Sequence, residues 1–129
     1  MELECIEIEG CEEIYMISSV KKEFSKAVSE NWKDNPPWQR YQKKLIGDLV
    51  VLQADKEKAI ELASFQKVDG EDNLYSIRHP EGKKNVRVLY SITDDREIVL
   101  LTAFLENNTN DYKLAIRRAK VRMKWLYSD

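Results

Sequence analysis

Glycine and histidine are scarce in this chain, with four glycines and one histidine in 129 residues. The glycines stand apart at positions 10, 47, 70 and 82, so no glycine-rich loop exists to cradle a phosphate. P-loop, dinucleotide, nucleophile-elbow and zincin signatures are therefore all missing. The single His79 precedes Pro80, and nothing places a serine beside it, which removes a Ser-His-acid arrangement. Cysteine is almost as rare: Cys5 and Cys11 sit in an acidic setting without a second pair or a nearby histidine. A structural zinc takes about four nitrogen or sulfur ligands at short spacing. Both thiols are read as idle, and no metal or other cofactor is expected. No run approaches the roughly 20 apolar residues of a membrane helix. The start, Met-Glu-Leu-Glu, has no basic segment ahead of an apolar one, so no secretory signal is read and cytoplasmic residence is expected.

Charge of one sign is missing from each end. Residues 1 to 17 hold six glutamates and no cation, whereas residues 112 to 128 hold Lys113, Arg117, Arg118, Lys120, Arg122 and Lys124 and no acid. The net charge of −2 thus conceals a dipolar molecule. A phosphate backbone responds to local potential rather than to the sum, so the basic end suits a polyanion.

What is present is periodicity, and its period changes along the chain. The stretch Glu2 to Glu9 partly alternates and reads as a first strand with a bulge. Ile17, Val20, Phe24, Ala27 and Val28 follow helical spacing, predicting a helix over 18–32 that is stopped by Asp34-Asn35-Pro36-Pro37. A second helix is expected over 37–54 and a short third over 56–65. Beyond Gly70 the pattern turns to strands at 74–79, 85–92 and 96–105, with a hairpin loop at 80–84. Asn107-Asn-Thr-Asn-Asp111 offers caps for a last helix, whose core stripe is Tyr112, Ile116, Ala119, Met123 and Leu126. Lys113, Arg117, Lys120 and Lys124 run beside that stripe. The order β-α-α-(α)-β-β-β-α defines one α+β domain over 1–129: a small, twisted, mainly antiparallel sheet, N-terminal helices packed on it, and a basic C-terminal helix.

Candidate functional side chains are cationic and aromatic. Lys67, Arg78, Lys83, Lys84 and Arg87 lie on or beside the expected sheet, and Arg87 points away from the face shared by Val86 and Val88. An arginine at such a position commonly pairs with a cross-strand acid, here Glu97. Acids are plentiful, but no spacing singles out a catalytic pair.

Leu74-Tyr-Ser-Ile-Arg78, Val86-Arg-Val-Leu-Tyr90, Ile98-Val-Leu-Leu-Thr-Ala-Phe104 and Ile116-Arg-Arg-Ala119 together resemble the RelE/HigB superfamily of toxins, in its phage-associated HigB-like branch. The likeness covers residues 65 to 126. It implies a RelE-like fold and a type II toxin that cleaves mRNA on the ribosome, using the RNA's own 2′-hydroxyl and no metal. It further implies that Arg87 contacts the scissile phosphate, Arg78 supports it and Tyr112 approaches the reacting sugar. Lys67, Lys83, Lys84, Arg117, Arg118 and Lys120 are then the RNA-binding set. The partners implied are ribosome, mRNA and an antitoxin, expected to be a small helix-turn-helix protein. One departure stands out: Phe104-Leu-Glu106-Asn107 replaces a pattern that expects two lysines, a change of about three charge units beside the phosphate site. That departure keeps two alternatives open. One is a protein-target inhibitor on the same scaffold, as in the gyrase-inhibiting ParE relatives. The other is a phage accessory protein that kept the fold alone.

Overall fold

The computed structural model describes residues 1–29, 38–79 and 85–128. The proline stop at 36–37 and the loop at 80–84, with Lys83 and Lys84, lie outside them. Six strands form one mixed sheet: β1 (Leu3–Cys5), β2 (Ile14–Ile17), β3 (Phe65–Lys67), β4 (Tyr75–Arg78), β5 (Val86–Ile92) and β6 (Ile98–Leu105). Their spatial order is β1-β2-β6-β5-β4-β3. β2 runs parallel to β6 and every other neighbour is antiparallel. Three α-helices complete the domain: α1 (Ser19–Ser29), α2 (Trp38–Asp55) and α3 (Thr109–Tyr127), with a 3-10 helix at Lys56–Glu61.

β5 and β6 are buried along their whole lengths because both faces are covered. Alternation divides the coverage. Ile77, Val88 and Tyr90 belong to one face; Ser76, Arg87, Leu89 and Ser91 belong to the other. The first face meets α1 and α2, whose Phe24 and Tyr41 rings stand 6.3 and 5.0 Å from His79. The second meets α3: Tyr112 packs edge-on against Phe104 at 5.7 Å, and the Tyr127 and Ser91 hydroxyls share a 2.7 Å hydrogen bond. Each fully buried leucine or isoleucine stabilises the fold by about 1.5–3 kcal/mol.

Two strands escaped the sequence reading. Ile14–Ile17 is short, and its Ile17 also fits the spacing of the first helix; Phe65 of Phe65–Lys67 falls at the expected end of the short helix at 56–65. The expected core stripe of α3 holds, with Ala119 buried and Tyr112, Ile116, Met123 and Leu126 half-buried, and Ala115 joins it. The helix starts where its cap dictates. Asn108 Oδ1 accepts from the Asp111 backbone N–H at 3.1 Å, and Asp111 Oδ2 accepts from the Asn108 N–H at 3.2 Å. This reciprocal capping box settles two of the helix's otherwise unsatisfied donors. It also fixes Tyr112 above the sheet.

His79 carries a pH dependence. Its Nδ1–H donates to the Val86 carbonyl at 2.8 Å. Burial pushes its pKa below the usual 6.5; the Val86 bond and the Asp48 charge oppose this, and Lys44 adds to it. The unfolded chain therefore binds the extra proton first, and stability is lost as pH falls below about 6.5, at up to about 1.4 kcal/mol per pH unit. Urea midpoints measured from pH 8 to pH 5 should fall for the wild type, and the His79→Gln variant should lack that component.

Candidate functional site

The register of β4 and β5 sets Arg78 directly opposite Arg87, so both side chains leave the same face of the sheet. They then diverge. Arg78, half-buried at the end of β4, donates from Nε to the Ala63 carbonyl at 2.8 Å. Arg87 is only 8% exposed and sits in a network of short polar contacts. Its Nε donates to Glu106 Oε1 at 3.1 Å, and its Nη1 donates to Gln66 Oε1 at 3.3 Å and to Ser76 Oγ at 3.2 Å. The guanidinium carbon lies 4.8 Å from the centre of the Tyr112 ring, within cation–π range. Glu106 accepts again, from Asn85 Nδ2 at 2.7 Å.

The cross-strand acid expected for Arg87 thus exists, but it is Glu106 and not Glu97. Arg87 faces Phe104 in the ladder, two residues from Glu106, while Glu97 lies at the far end of β6. The same Glu106 that breaks the lysine pattern supplies the counter-charge. A buried guanidinium needs such a partner, because desolvating an unpaired charge costs several kcal/mol.

Tyr112 keeps its place in the core stripe and adds a contact with Arg87. The ring is half-buried in the core stripe against Phe104 and also forms the face on which Arg87 rests. Burial raises its pKa above the usual 10, while the Arg87 charge and a hydrogen bond with Ser76 pull it back. It is therefore a neutral phenol at physiological pH. Beside it, Glu106, Asn107, Asn108, Thr109 and Tyr112 line an open pocket of about 320 Å³.

The remaining cations divide between the two sides of α3. Lys67 and Lys120 meet at Glu71: Lys67 Nζ donates to its carbonyl at 2.9 Å, and Lys120 Nζ pairs with its carboxylate at 3.1 Å. Arg117 is exposed. Arg118 turns the other way, donating to Thr102 Oγ1 at 2.7 Å and pairing with Glu23 at 3.5 Å. It therefore serves the α1–β6–α3 junction. Sequence alone does not single out Gln66 and Ser76, which the strand register brings to Arg87, or Asn85, which it brings to Glu106.

Cys5 and Cys11 are both free thiols, the first exposed and the second buried. Among the described residues no group of three or more His, Cys, Asp or Glu could hold a metal ion, and no helix is long and apolar enough to cross a membrane.

Comparison with known proteins identifies the family. The family model for phage-derived Gp49-like proteins matches residues 30–124, and the chain belongs to that family, one of RelE-like toxins. This membership puts the chain in the toxin half of toxin–antitoxin pairs and implies an antitoxin partner. A search of curated proteins finds no match. Among solved structures, that of an arginine-to-alanine double mutant of the E. coli toxin RelE in the free state is similar. It is 18% identical, covers 81% of this chain and 94% of that chain, and gives a TM-score of 0.47.

Proposed function

We propose that this chain is the toxin of a type II toxin–antitoxin pair and that it cleaves mRNA on the ribosome, with a small helix-turn-helix antitoxin as its inhibitor and the cytoplasm as its place of action. The observation that carries the reading is Arg87 with Tyr112 laid against it, on the sheet face from which Arg78 also leaves. Phosphoryl transfer asks the protein mainly for positioning and for charge opposite the developing pentavalent phosphate. In this reading the RNA's 2′-oxygen attacks the adjacent phosphorus and the 5′-oxygen leaves. Arg87 and Arg78 hold the equatorial oxygens, and Tyr112 packs at the sugar. Lys67, Arg117 and Lys120 line the path of the flanking strand. Glu106 is the intramolecular competitor for the phosphate at Arg87.

The test is induced expression with the 5′ ends of cellular transcripts mapped. Translation arrest with breaks inside codons, seen only when ribosomes are engaged, supports the reading. Arg78→Ala should then lower cleavage by about 10²- to 10³-fold, as for the loss of one preorganised charge donor. Arrest with intact transcripts would sink the nuclease.

The Arg87–Glu106 pair favours a second reading, that of a protein-target inhibitor in which the arginine is structural. It predicts that Arg78→Ala leaves arrest unchanged.

A further inference from the structure

We propose that the chain self-associates head to tail, with the outer face of α3 of one copy seated in an acid-rimmed apolar groove of the next. The inference goes beyond the RNA-directed reading and does not rest on it. Two surfaces of the molecule that the fold leaves uncovered fit each other.

The first surface is a ridge. α3 packs on the sheet through Tyr112, Ala115, Ile116 and Ala119, yet its Leu114, Val121 and Trp125 are 52, 63 and 39% exposed. At i, i+7 and i+11 these three share one side of the helix, over about 17 Å of its length. The cations beside them are not engaged elsewhere. Arg118 and Arg122 pair with Glu23 and Lys120 pairs with Glu71, but among the described residues Lys113, Arg117 and Lys124 make no ion pair. Those three follow the apolar stripe at i, i+4 and i+11. The ridge is therefore apolar along its crest and positive along one flank.

The second surface is a groove of about 710 Å³ between the β1 segment and helices α1 and α2. Half-buried Ile6, Ile8, Met16, Leu45 and Ile46 line it. Exposed Glu4 and Glu7 line it as well, against one lysine, Lys21. Of the six glutamates in residues 1 to 17, Glu13 alone has an ion pair among the described residues, with Lys56 at 3.8 Å. Leu100 also lines the groove and lies opposite Tyr90 in the ladder, so the groove is on the α1–α2 side of the sheet, away from α3.

Charge decides how two copies meet. Ridge against ridge opposes cations and groove against groove opposes carboxylates, so both symmetric arrangements juxtapose like charge. Ridge in groove covers the apolar side chains of both and brings Lys113, Arg117 and Lys124 toward Glu4 and Glu7. Because the two surfaces lie on opposite sides of the sheet, each contact leaves a free ridge at one end and a free groove at the other. Association is then heterologous and open-ended.

Sedimentation velocity of the full chain, from micromolar to millimolar, tests this. The weight-average mass should rise with concentration without levelling at the dimer, and should rise less as salt goes from about 0.05 to about 0.5 M. Val121→Glu blocks the ridge and Glu4→Lys/Glu7→Lys reverses the groove; all three positions are exposed, so the fold is undisturbed. Each variant alone should associate at least about tenfold more weakly. Their mixture should form dimers and stop there, because one working ridge and one working groove remain. Cys5 lines the groove and is exposed, whereas Cys11 is buried. Reaction of Cys5 with a maleimide should therefore slow as the wild type associates and should not slow in either variant alone. A chain that stays monomeric at millimolar concentration overturns the proposal and leaves both surfaces to a different protein. Association that levels at a dimer, or that leaves Cys5 as reactive as in the monomer, overturns it equally.

Discussion

Arg87→Ala should lower folding stability by about 4 kcal/mol, read as a fall in the urea midpoint at unchanged slope. The arginine is 8% exposed and bonds to Glu106, Gln66 and Ser76, so alanine leaves a half-buried carboxylate without its cation and two polar side chains short of a donor. Truncating one member of a buried pair is far costlier than removing both. The double variant Arg87→Ala/Glu106→Ala should therefore recover part of the loss, and the cycle formed with Glu106→Ala should return a coupling above about 1 kcal/mol. A coupling near zero would mean that the two groups do not depend on each other in solution.

The functional consequence follows directly. Loss of growth arrest in Arg87→Ala alone cannot separate a missing phosphate contact from a partly unfolded chain. The informative comparison is Glu106→Ala against the double variant, both of which carry no unpaired carboxylate at this site. If the first arrests growth and the second does not, at matched soluble yield, the guanidinium acts on RNA. If both arrest growth, Arg87 is a strut.

How much of this could be read from the chain depends on the range of the forces involved. β4, β5 and α3 announce themselves by period, because side chains two or about four residues apart share a face, and β6 by its nearly continuous apolar run. Ile14–Ile17 does not, since it has only four residues and Ile17 also fits the helical stripe of Val20 and Phe24. What makes it a strand is the parallel ladder to β6, with Ile14 opposite Ile98, some eighty residues on. Phe65–Lys67 is likewise a strand because β4 lies beside it. The opposition of Arg78 and Arg87 belongs to the β4–β5 register, for which alternation supplies the faces but not the offset. Glu97 was the nearer acid in sequence to a naive hairpin partner. A bulge between Leu89 and Tyr90 shifts the β5–β6 ladder, yet the strand end opposite Arg87 remains Phe104, so Glu106 is the acid within reach. Arg118 and Arg122 looked like surface cations by composition. Nothing local indicates that an acid ninety-odd residues earlier claims them.

That acid is Glu23, and Glu23→Ala should cost about 3 kcal/mol. β2 covers the edge of β6 only as far as Leu100, and α1 begins where β2 ends. The uncovered stretch of β6 is sealed by side chains. Glu23 Oε1 accepts from Thr102 Oγ1 at 3.0 Å and from the Ala103 backbone N–H at 3.4 Å, while Arg122 donates to both of its oxygens at 2.8 and 2.9 Å. Arg122 Nη1 also bonds to the Leu101 carbonyl at 2.7 Å. One carboxylate therefore joins α1, β6 and α3 and occupies backbone groups that an exposed edge would offer to another strand. Burial raises its pKa, but the Arg122 hydrogen bonds and charge, with Arg118 and Thr102, outweigh burial and hold it below the usual 4.5. Because the folded pKa is depressed, the stabilisation is present above about 4.5 and is lost as pH falls through the folded value. Urea midpoints of wild type and Glu23→Ala should differ most at pH 7 and converge toward pH 3. A gap independent of pH would show that the loss is one of packing, with the charge contributing nothing. An increased tendency of Glu23→Ala to associate at pH 7, seen by light scattering, would identify the freed edge of β6 as the surface it had kept covered.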